Sequence, residues 1–248
     1  MKKRLDVYCV EKGLFETRQK ALGSIMAGLV RVNGNVQDKA GFQVRDGDLV
    51  EVVSDECPYV SRGGLKLKAA LEHFKIDLKG KICLDVGVAT GGFSDCMLKE
   101  GAKKVYGVDV GEGQLHERIK SDAKFVFLPN TNARFLKPEL FPEKPEFAAV
   151  DVSFISLKTI LPPLLASIGA EAELVLLVKP QFELGVQYLK KGIVKDEAGR
   201  QKAIEDMAAF IKENFKSCRI EGYTDCPVKG AKGNREFLMK VNKVEVKG

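Results

Sequence analysis

The sequence has few of the residues that most often carry acid–base or metal chemistry. It contains two histidines, His73 and His116, among 248 residues. His73 falls inside a helical apolar pattern, so a histidine-based triad has little to draw on. The six cysteines (Cys9, Cys57, Cys83, Cys96, Cys218 and Cys226) show no C-x-x-C spacing. Neither a zinc or other metal site nor a disulfide scaffold is therefore expected. No apolar run reaches the ~18–20 residues of a membrane-crossing helix. The longest stretches, Ile160–Ala170 and Leu174–Val178, fall short, and the first holds Pro162-Pro163. The opening Met1-Lys-Lys-Arg-Leu-Asp-Val7 is basic, yet it carries an acid and leads into no apolar segment. A signal peptide is not expected, and the cytoplasm is the expected compartment.

What remains is the composition of a folded protein. Hydrophobic residues at 45% and charged residues at 30% exclude a disordered chain. The length suits one medium domain or a core domain with a small appendage. The net charge of +6 leans toward an anionic partner.

Residues 1–55 read as a separate unit, with a linker at 56–60 and the main domain over 61–248. Leu5, Cys9, Val10 and Leu14 predict a short first helix, and Thr17 is placed to cap a second over Thr17–Ala27, stopped by Gly28. Asn33-Gly34 between short apolar runs predicts a type I′ hairpin, and Leu49–Val53 a further strand. Nine basic and nine acidic residues balance over residues 1–57. The basic ones gather on the helices and first strand, and the acids near Asp46–Glu56. Such a lopsided distribution suits a phosphate-binding face or a merely solvated one.

Arg4-Leu-Asp6, Glu16-Thr-Arg-Gln-Lys20-Ala21 and Gly28-Leu-Val-Arg-Val-Asn-Gly34 resemble the small RNA-binding module first described in ribosomal protein S4. That resemblance implies RNA binding through the helix pair and hairpin, with Arg4, Arg18, Lys20 and Arg31 as phosphate contacts.

Beyond Tyr59 the pattern alternates. Helical stretches at Ser61–Phe74, Phe93–Glu100 and Lys202–Phe215 intersperse with strands at Ile82–Val86, Lys104–Val110, Phe147–Val150, Glu173–Val178 and Phe237–Val244. This is an α/β, Rossmann-like, doubly wound sheet. Its first strand runs through Asp85 into a turn, Gly87-Val-Ala-Thr90-Gly91-Gly92-Phe93. The turn has the G-x-x-x-x-G spacing of a P-loop, but Phe93 stands where the phosphate-binding lysine belongs, which disfavours ATP or GTP. Ala89 breaks the dinucleotide pattern G-x-G-x-x-G. S-adenosylmethionine needs close backbone approach and a nearby acid for its ammonium, with no pyrophosphate to cradle. Asp85 and the glycines meet that need. Asp109, ending the next strand, suits a ribose, and Asn132 suits an adenine. A dehydrogenase-like or purely structural domain stays open on these residues alone.

Four charged residues stand at element ends: Lys66, Asp151, Lys179 and Glu236. In a doubly wound sheet, ligands gather at the carboxyl ends of strands, where Asp151 and Lys179 would project. A desolvated lysine loses its proton more easily and can orient or deprotonate a hydroxyl, with flanking carboxylates holding it in place. Surface ion pairs are the plainer reading of each residue taken singly. However, Tyr59-Val-Ser-Arg-Gly-Gly-Leu-Lys66-Leu67, Leu84-Asp-Val-Gly-Val-Ala-Thr-Gly-Gly-Phe93, Val150-Asp-Val-Ser-Phe-Ile-Ser-Leu157, Leu177-Val-Lys-Pro-Gln-Phe-Glu183 and Gly233-Asn-Arg-Glu-Phe237 resemble the TlyA (hemolysin A-like) family. These are rRNA 2′-O-methyltransferases with an FtsJ-like catalytic domain, and the resemblance spans nearly the whole chain. It implies a class I methyltransferase fold using S-adenosyl-L-methionine, with a catalytic tetrad on Lys66, Asp151, Lys179 and Glu236. It also implies cytidine riboses of ribosomal RNA, free or within ribosomal subunits, as substrate. The few residues past the last strand resemble the shorter members of the family, so the large subunit is the expected target, with the small subunit as the second candidate. Gly185–Gly192 departs from the more glycine-rich stretch often found there. Arg62, Lys229, Lys232 and Arg235 are expected along the RNA path. A membrane-lytic protein would need an amphipathic basic helix or a spanning segment, and neither stands out. A non-catalytic ribosome-assembly factor would have no need of a complete tetrad.

Overall fold

A computed structural model describes residues 2–26, 28–52, 57–111, 114–230 and 233–245. The chain forms two compact units, Met1–Arg62 and Gly63–Gly248. Ala27, Val53, Lys232 and Glu56, the first residue of the expected linker, lie outside the described residues.

The first unit runs β1 (Lys3–Arg4), α1 (Leu5–Glu11), α2 (Arg18–Met26), β2 (Val30–Val32), β3 (Asn35–Gln37), β4 (Gln43–Val44) and β5 (Val50–Val52). The predicted caps are present. The Lys20 amide donates to Thr17 Oγ1 at 3.1 Å, and Gly28 leaves the helix at φ +71°. Asn33 and Gly34 both take positive φ, 52° and 76°, as a type I′ turn requires. Val32 thereby faces Asn35, and β2 becomes the centre of a three-stranded antiparallel sheet between β3 and β5. The β1–β4 pair was not predicted; two-residue strands leave no periodicity to read. Leu5, Cys9, Ala21, Ile25, Val30, Val32 and Val44 close a small core.

Asp6 is buried at the edge of that core. Arg4 Nε donates to its Oδ1 at 3.0 Å and Arg18 Nε to its Oδ2 at 2.9 Å. The Arg4 hydrogen bond, reinforced by Arg18, outweighs burial and holds the carboxyl below its ordinary range. One carboxylate thus joins β1, α1 and the start of α2.

The second unit continues with α3 (Gly63–His73), β6 (Ile82–Val86), α4 (Gly92–Lys99), β7 (Lys104–Val108), α5 (Glu117–Lys120), β8 (Phe125–Leu128), β9 (Phe147–Val150), α6 (Leu157–Ser167), β10 (Glu173–Val178), α7 (Pro180–Glu183), α8 (Glu197–Asn214), β11 (Cys218–Asp225) and β12 (Phe237–Lys243). The seven strands lie in the order β11-β12-β10-β9-β6-β7-β8, with β6 to β10 parallel and β12 antiparallel to both its neighbours. Strands β6, β7 and β8 step outward in one direction, while β9 returns to the other side of β6. The reversal makes β6/β9 the topological switch point, where doubly wound sheets bind ligands. Every residue of β6 and β9 is buried, as a sheet covered on both faces demands.

Several elements differ from expectation, the short α5, β8 and α7 among those not predicted. Helix α6 forms despite Pro162 and Pro163. Its Leu157, Ile160, Leu161, Leu164 and Leu165 make a buried stripe, and Ser156 caps it by accepting from the Lys158 amide at 3.2 Å. Packing of that stripe outweighs the proline penalty. Helix α8 begins at Glu197 rather than Lys202, because Asp196 accepts from the Gly199 amide at 2.6 Å. Strand β11 was not predicted; its alternating half-buried pattern is that of an edge strand with one covered face.

Replacing Asp6 by Asn should remove the charge that fixes both guanidiniums. The first unit should lose about 1–3 kcal/mol, seen as an earlier calorimetric transition, with the second unit's transition unmoved.

Candidate active site

Strand register brings the four predicted tetrad residues together. Asp151 follows β9 directly and Lys179 follows β10. Because β12 runs antiparallel to β10 with Phe237 opposite Val178, Glu236 arrives beside Lys179 from the opposite chain direction. Lys66 comes from α3. Lys179 Nζ lies 2.6 Å from Asp151 Oδ1, and Lys66 Nζ lies 2.7 Å from Glu236 Oε2 and 3.8 Å from Asp151 Oδ2. Lys179 and Glu236 are buried, at 6% and 2% exposure. Two cations and two anions therefore balance in a largely dry site, which makes their burial tolerable.

Burial pushes the Lys66 ammonium down, but Asp151 and Glu236 together overcome it and the net shift is upward. Lys66 is thus a fixed cation, the balancing charge that a second lysine in the cluster would supply. Gly230 makes room for its partner, since a Cβ at 230 would fall 1.8 Å from Glu236 Oε1.

The glycine-rich turn adjoins this cluster. Val86 pairs with Val150, so the residues that follow, Gly87 and Asp151, lie side by side at the switch point. Gly87 has φ +92°, and a Cβ there would fall 2.3 Å from the Asp151 carbonyl oxygen. Only glycine fits. Ala89 also takes positive φ, 47°, and its amide donates to Asp109 Oδ2 at 2.8 Å while the Gly111 amide donates to Oδ1 at 2.9 Å. Each oxygen of Asp109 keeps a second lone pair for a ligand hydroxyl. Gly91 and Gly92 are buried, Thr90 is exposed and its carbonyl accepts from the His116 amide, and the Phe93 ring is buried at 3%. Phe93 therefore offers a ligand its backbone only. Asn132 Oδ1 accepts from the Arg134 amide at 3.0 Å, capping the short turn Ala133–Phe135.

Asp85 is fully buried. Its Oδ2 accepts from the Ser94 amide at 2.9 Å and the Ser94 hydroxyl at 2.6 Å, whereas Oδ1 has no hydrogen-bond partner among the described residues. Burial raises this carboxyl to about 7. An orphaned acceptor beneath a glycine turn, with Asp109 one strand away, fits a ligand that carries an ammonium and a ribose.

Three residues near the tetrad were not singled out from sequence. Cys226, whose thiol burial pushes up to about 11, donates to the Val228 carbonyl and feels the charges of Lys66, Glu236 and Asp151. Glu183 accepts from the Ser156 hydroxyl at 2.5 Å and the Leu157 amide at 2.9 Å, tying the loop after β10 to the loop after β9. Phe154 takes φ +65° and is 88% exposed, with its ring 5.1 Å from that of Phe182. Phe154 and Glu183 lie within the stretches that carry the family resemblance, where Asp151 and Lys179 were the residues singled out, and Cys226 lies in no motif.

The predicted RNA contacts are mostly engaged internally. Arg4 and Arg18 hold Asp6, and Lys20 pairs with Glu16 one helical turn back. Arg31 is exposed and faces Glu51 across the sheet. Arg62 lies in the first unit, its guanidinium packed where a Cβ of Gly28 would sit. Lys229 and Arg235 are exposed, and Arg235 lies 3.9 Å from Glu197.

The FtsJ-like methyltransferase family model matches residues 59–243, and the S4 domain model matches residues 3–50. The chain belongs to the FtsJ-like methyltransferase family. It is 41% identical to hemolysin A of Brachyspira hyodysenteriae, over 95% of this chain and 98% of that one. It is 40% identical to the 16S/23S rRNA (cytidine-2′-O)-methyltransferase TlyA of Mycobacterium tuberculosis, over 95% of this chain and 88% of that one. A solved structure of a hemolysin-named protein from Streptococcus thermophilus superposes with a TM-score of 0.78 at 41% identity, over 98% of this chain and 89% of that one. The S4 module and the FtsJ-like sheet expected from the motifs are thus both present.

The buried acid of this methyltransferase gives a pH prediction. Unfolded, Asp85 ionises above its ordinary 3.8, while folded it stays protonated to about 7. A raised carboxyl pKa costs stability as pH rises through that window and no more beyond it. Asp85→Asn escapes the cost. Its melting temperature relative to the unsubstituted protein should climb from 3.8 to about 7 and then flatten, in thermal melts without cofactor.

Proposed function

We propose that this chain methylates the ribose 2′-hydroxyl of a cytidine in ribosomal RNA, using S-adenosyl-L-methionine. The observation that carries the reading is Lys179, a buried amine held at 2.6 Å by Asp151 next to the glycine turn. The names of the relatives, the S4 match and the orphaned Asp85 oxygen support it from independent directions.

In this reading the cofactor is held by Asp85, Asp109, Asn132, the Thr90 segment and the backbone of Gly87, Gly91, Gly92 and Phe93. When bound, it supplies an electrophilic methyl on a cationic sulfur. The chain's own residues do the rest. Lys179, after giving its own ammonium proton to solvent, receives the proton of the ribose hydroxyl as that oxygen takes the methyl from sulfur, and Asp151 holds the amine in place. Lys66, kept cationic by Glu236 and Asp151, balances the two carboxylates so that neither pulls Lys179 away. A sulfonium is already a good leaving group, so alignment supplies most of the remaining rate. The exposed Phe154 ring beside Phe182 offers an apolar face at the mouth of the site, suited to a base. In the first unit, Asp6 presents Arg4 and Arg18 with their remaining N–H groups outward, and Arg31 and Lys20 add charge for phosphates. Lys229 and Arg235 are assigned to the RNA path on charge and exposure, and the half-buried Arg62 on charge alone.

The test is transfer of labelled methyl from S-adenosylmethionine to separated ribosomal subunits from a strain lacking this gene. Label is expected in cytidine ribose of the large subunit, with the small subunit run in parallel. Lys179→Ala should lower the rate by about 10²–10⁴-fold with cofactor affinity retained. Equal loss of cofactor affinity would make Lys179 a structural residue instead.

A further inference from the structure

Ser153 has no role in the reading above, yet it stands at an unusual place. It is exposed, two residues past Asp151, and its hydroxyl oxygen accepts a hydrogen bond from Lys179 Nζ at 3.0 Å. An exposed serine has bulk water to bond, so a hydroxyl turned onto a buried amine is a built contact. The next residue, Phe154, is a bulky side chain in the left-handed region at φ +65°. Such strain persists only where surrounding contacts impose it, and it collects at functional sites. Here the corner is pinned on both sides. Ser153 bonds Lys179, and Ser156 donates to Glu183 at 2.5 Å, four residues along from that same lysine.

The geometry of nitrogen gives the contact a consequence. Lys179 Nζ is tetrahedral, with one direction taken by Cε. If Asp151 were its only acceptor, the amine could spin about that hydrogen bond and its remaining positions would sweep a cone. A second acceptor stops the rotation. With Asp151 Oδ1 at 2.6 Å and Ser153 Oγ at 3.0 Å, a single direction remains open. In the neutral amine that direction is the lone pair. Lys66 is held differently, with one close carboxylate at 2.7 Å and the other at 3.8 Å.

We infer that Ser153 is a positioning residue that aims the lone pair of Lys179 at the substrate hydroxyl. The inference rests on Lys179 being the general base, as proposed above. Ser153 touches neither the transferred methyl nor the hydroxyl. It acts through the lysine, so its loss costs alignment while the binding contacts remain.

Ser153→Ala and Ser153→Thr test this beside Lys179→Ala, in the full-length protein with ribosomal subunits as substrate. Ser153→Ala should lower kcat about tenfold, as misalignment of a general base does. KM for S-adenosylmethionine and for the subunits should stay within about twofold, and the melting temperature should not move. Ser153→Thr, which keeps the hydroxyl, should restore kcat to within about threefold. A second readout needs no turnover. In spectra of the ¹⁵N-labelled lysine side chains, the signal absent from Lys179→Ala should exchange faster with water in Ser153→Ala. An unchanged kcat in Ser153→Ala, a change carried by KM, or equal loss in both substitutions would overturn the inference. Lys179→Ala with full activity, or no methylation by the unsubstituted protein, would instead overturn the reading it rests on. Faster lysine exchange in Ser153→Ala would then establish the contact without the catalytic role.

Discussion

The arrangement depends on one carboxylate shared between two lysines. Asp151 presents Oδ1 to Lys179 and Oδ2 to Lys66, so two ammonium groups that would repel each other in a dry site are held by the same acid. Its own position leaves it no freedom. Asp151 is the first residue after β9, its amide donates to the Val86 carbonyl at 2.9 Å, and its carbonyl oxygen lies where a Cβ of residue 87 would sit. The acid is therefore part of the sheet's end as much as part of the cluster. Glu236 completes the charge balance and, being almost wholly buried, commits Lys66 to the cationic state.

The switch point in the strand order explains why ligand loop and charged cluster share one place. Parallel strands β6 and β9 end side by side, one continuing into Gly87 and the other into Asp151. Strand β10 adds Lys179 from the same end of the sheet. The antiparallel β12 adds Glu236, because its amino end meets the carboxyl end of β10. The sheet thus collects residues 87, 151, 179 and 236 by direction alone. The loops then refine what the strands deliver, through the Glu183 bridge to Ser156 and Leu157 and the Asp109 bonds to the turn after β6.

The first unit uses the same device on a smaller scale. Asp6 gathers two arginines that the sequence places twelve or fewer residues away, and its burial makes their hydrogen bonds firm. Each guanidinium keeps donors beyond those it spends on Asp6, so an internal ion pair and a phosphate contact are compatible uses of one side chain.

Much of this was legible in the sequence because local physics decides it. Asn33-Gly34 could only be a turn with positive φ, Thr17 and Gly28 bounded a helix, and the apolar runs over 82–86, 147–150 and 173–178 could only be buried strands. The Gly87–Phe93 turn announced itself by glycine spacing, and the missing lysine at 93 disfavoured a phosphate loop. The tetrad residues were visible as charges at element ends. Only the tertiary structure decided which charges meet and what each then does. Lys66 stays cationic because an acid 170 residues away packs against it, and a hydrogen bond of that range leaves no local trace. Helix α6 survives two prolines because its leucine stripe finds a core. Ser153, Glu183 and Cys226 acquire partners through loops whose course depends on strand register. Secondary structure follows from side-chain periodicity and backbone sterics within a few residues. The electrostatics of a buried site follow from neighbours that only the completed sheet assembles.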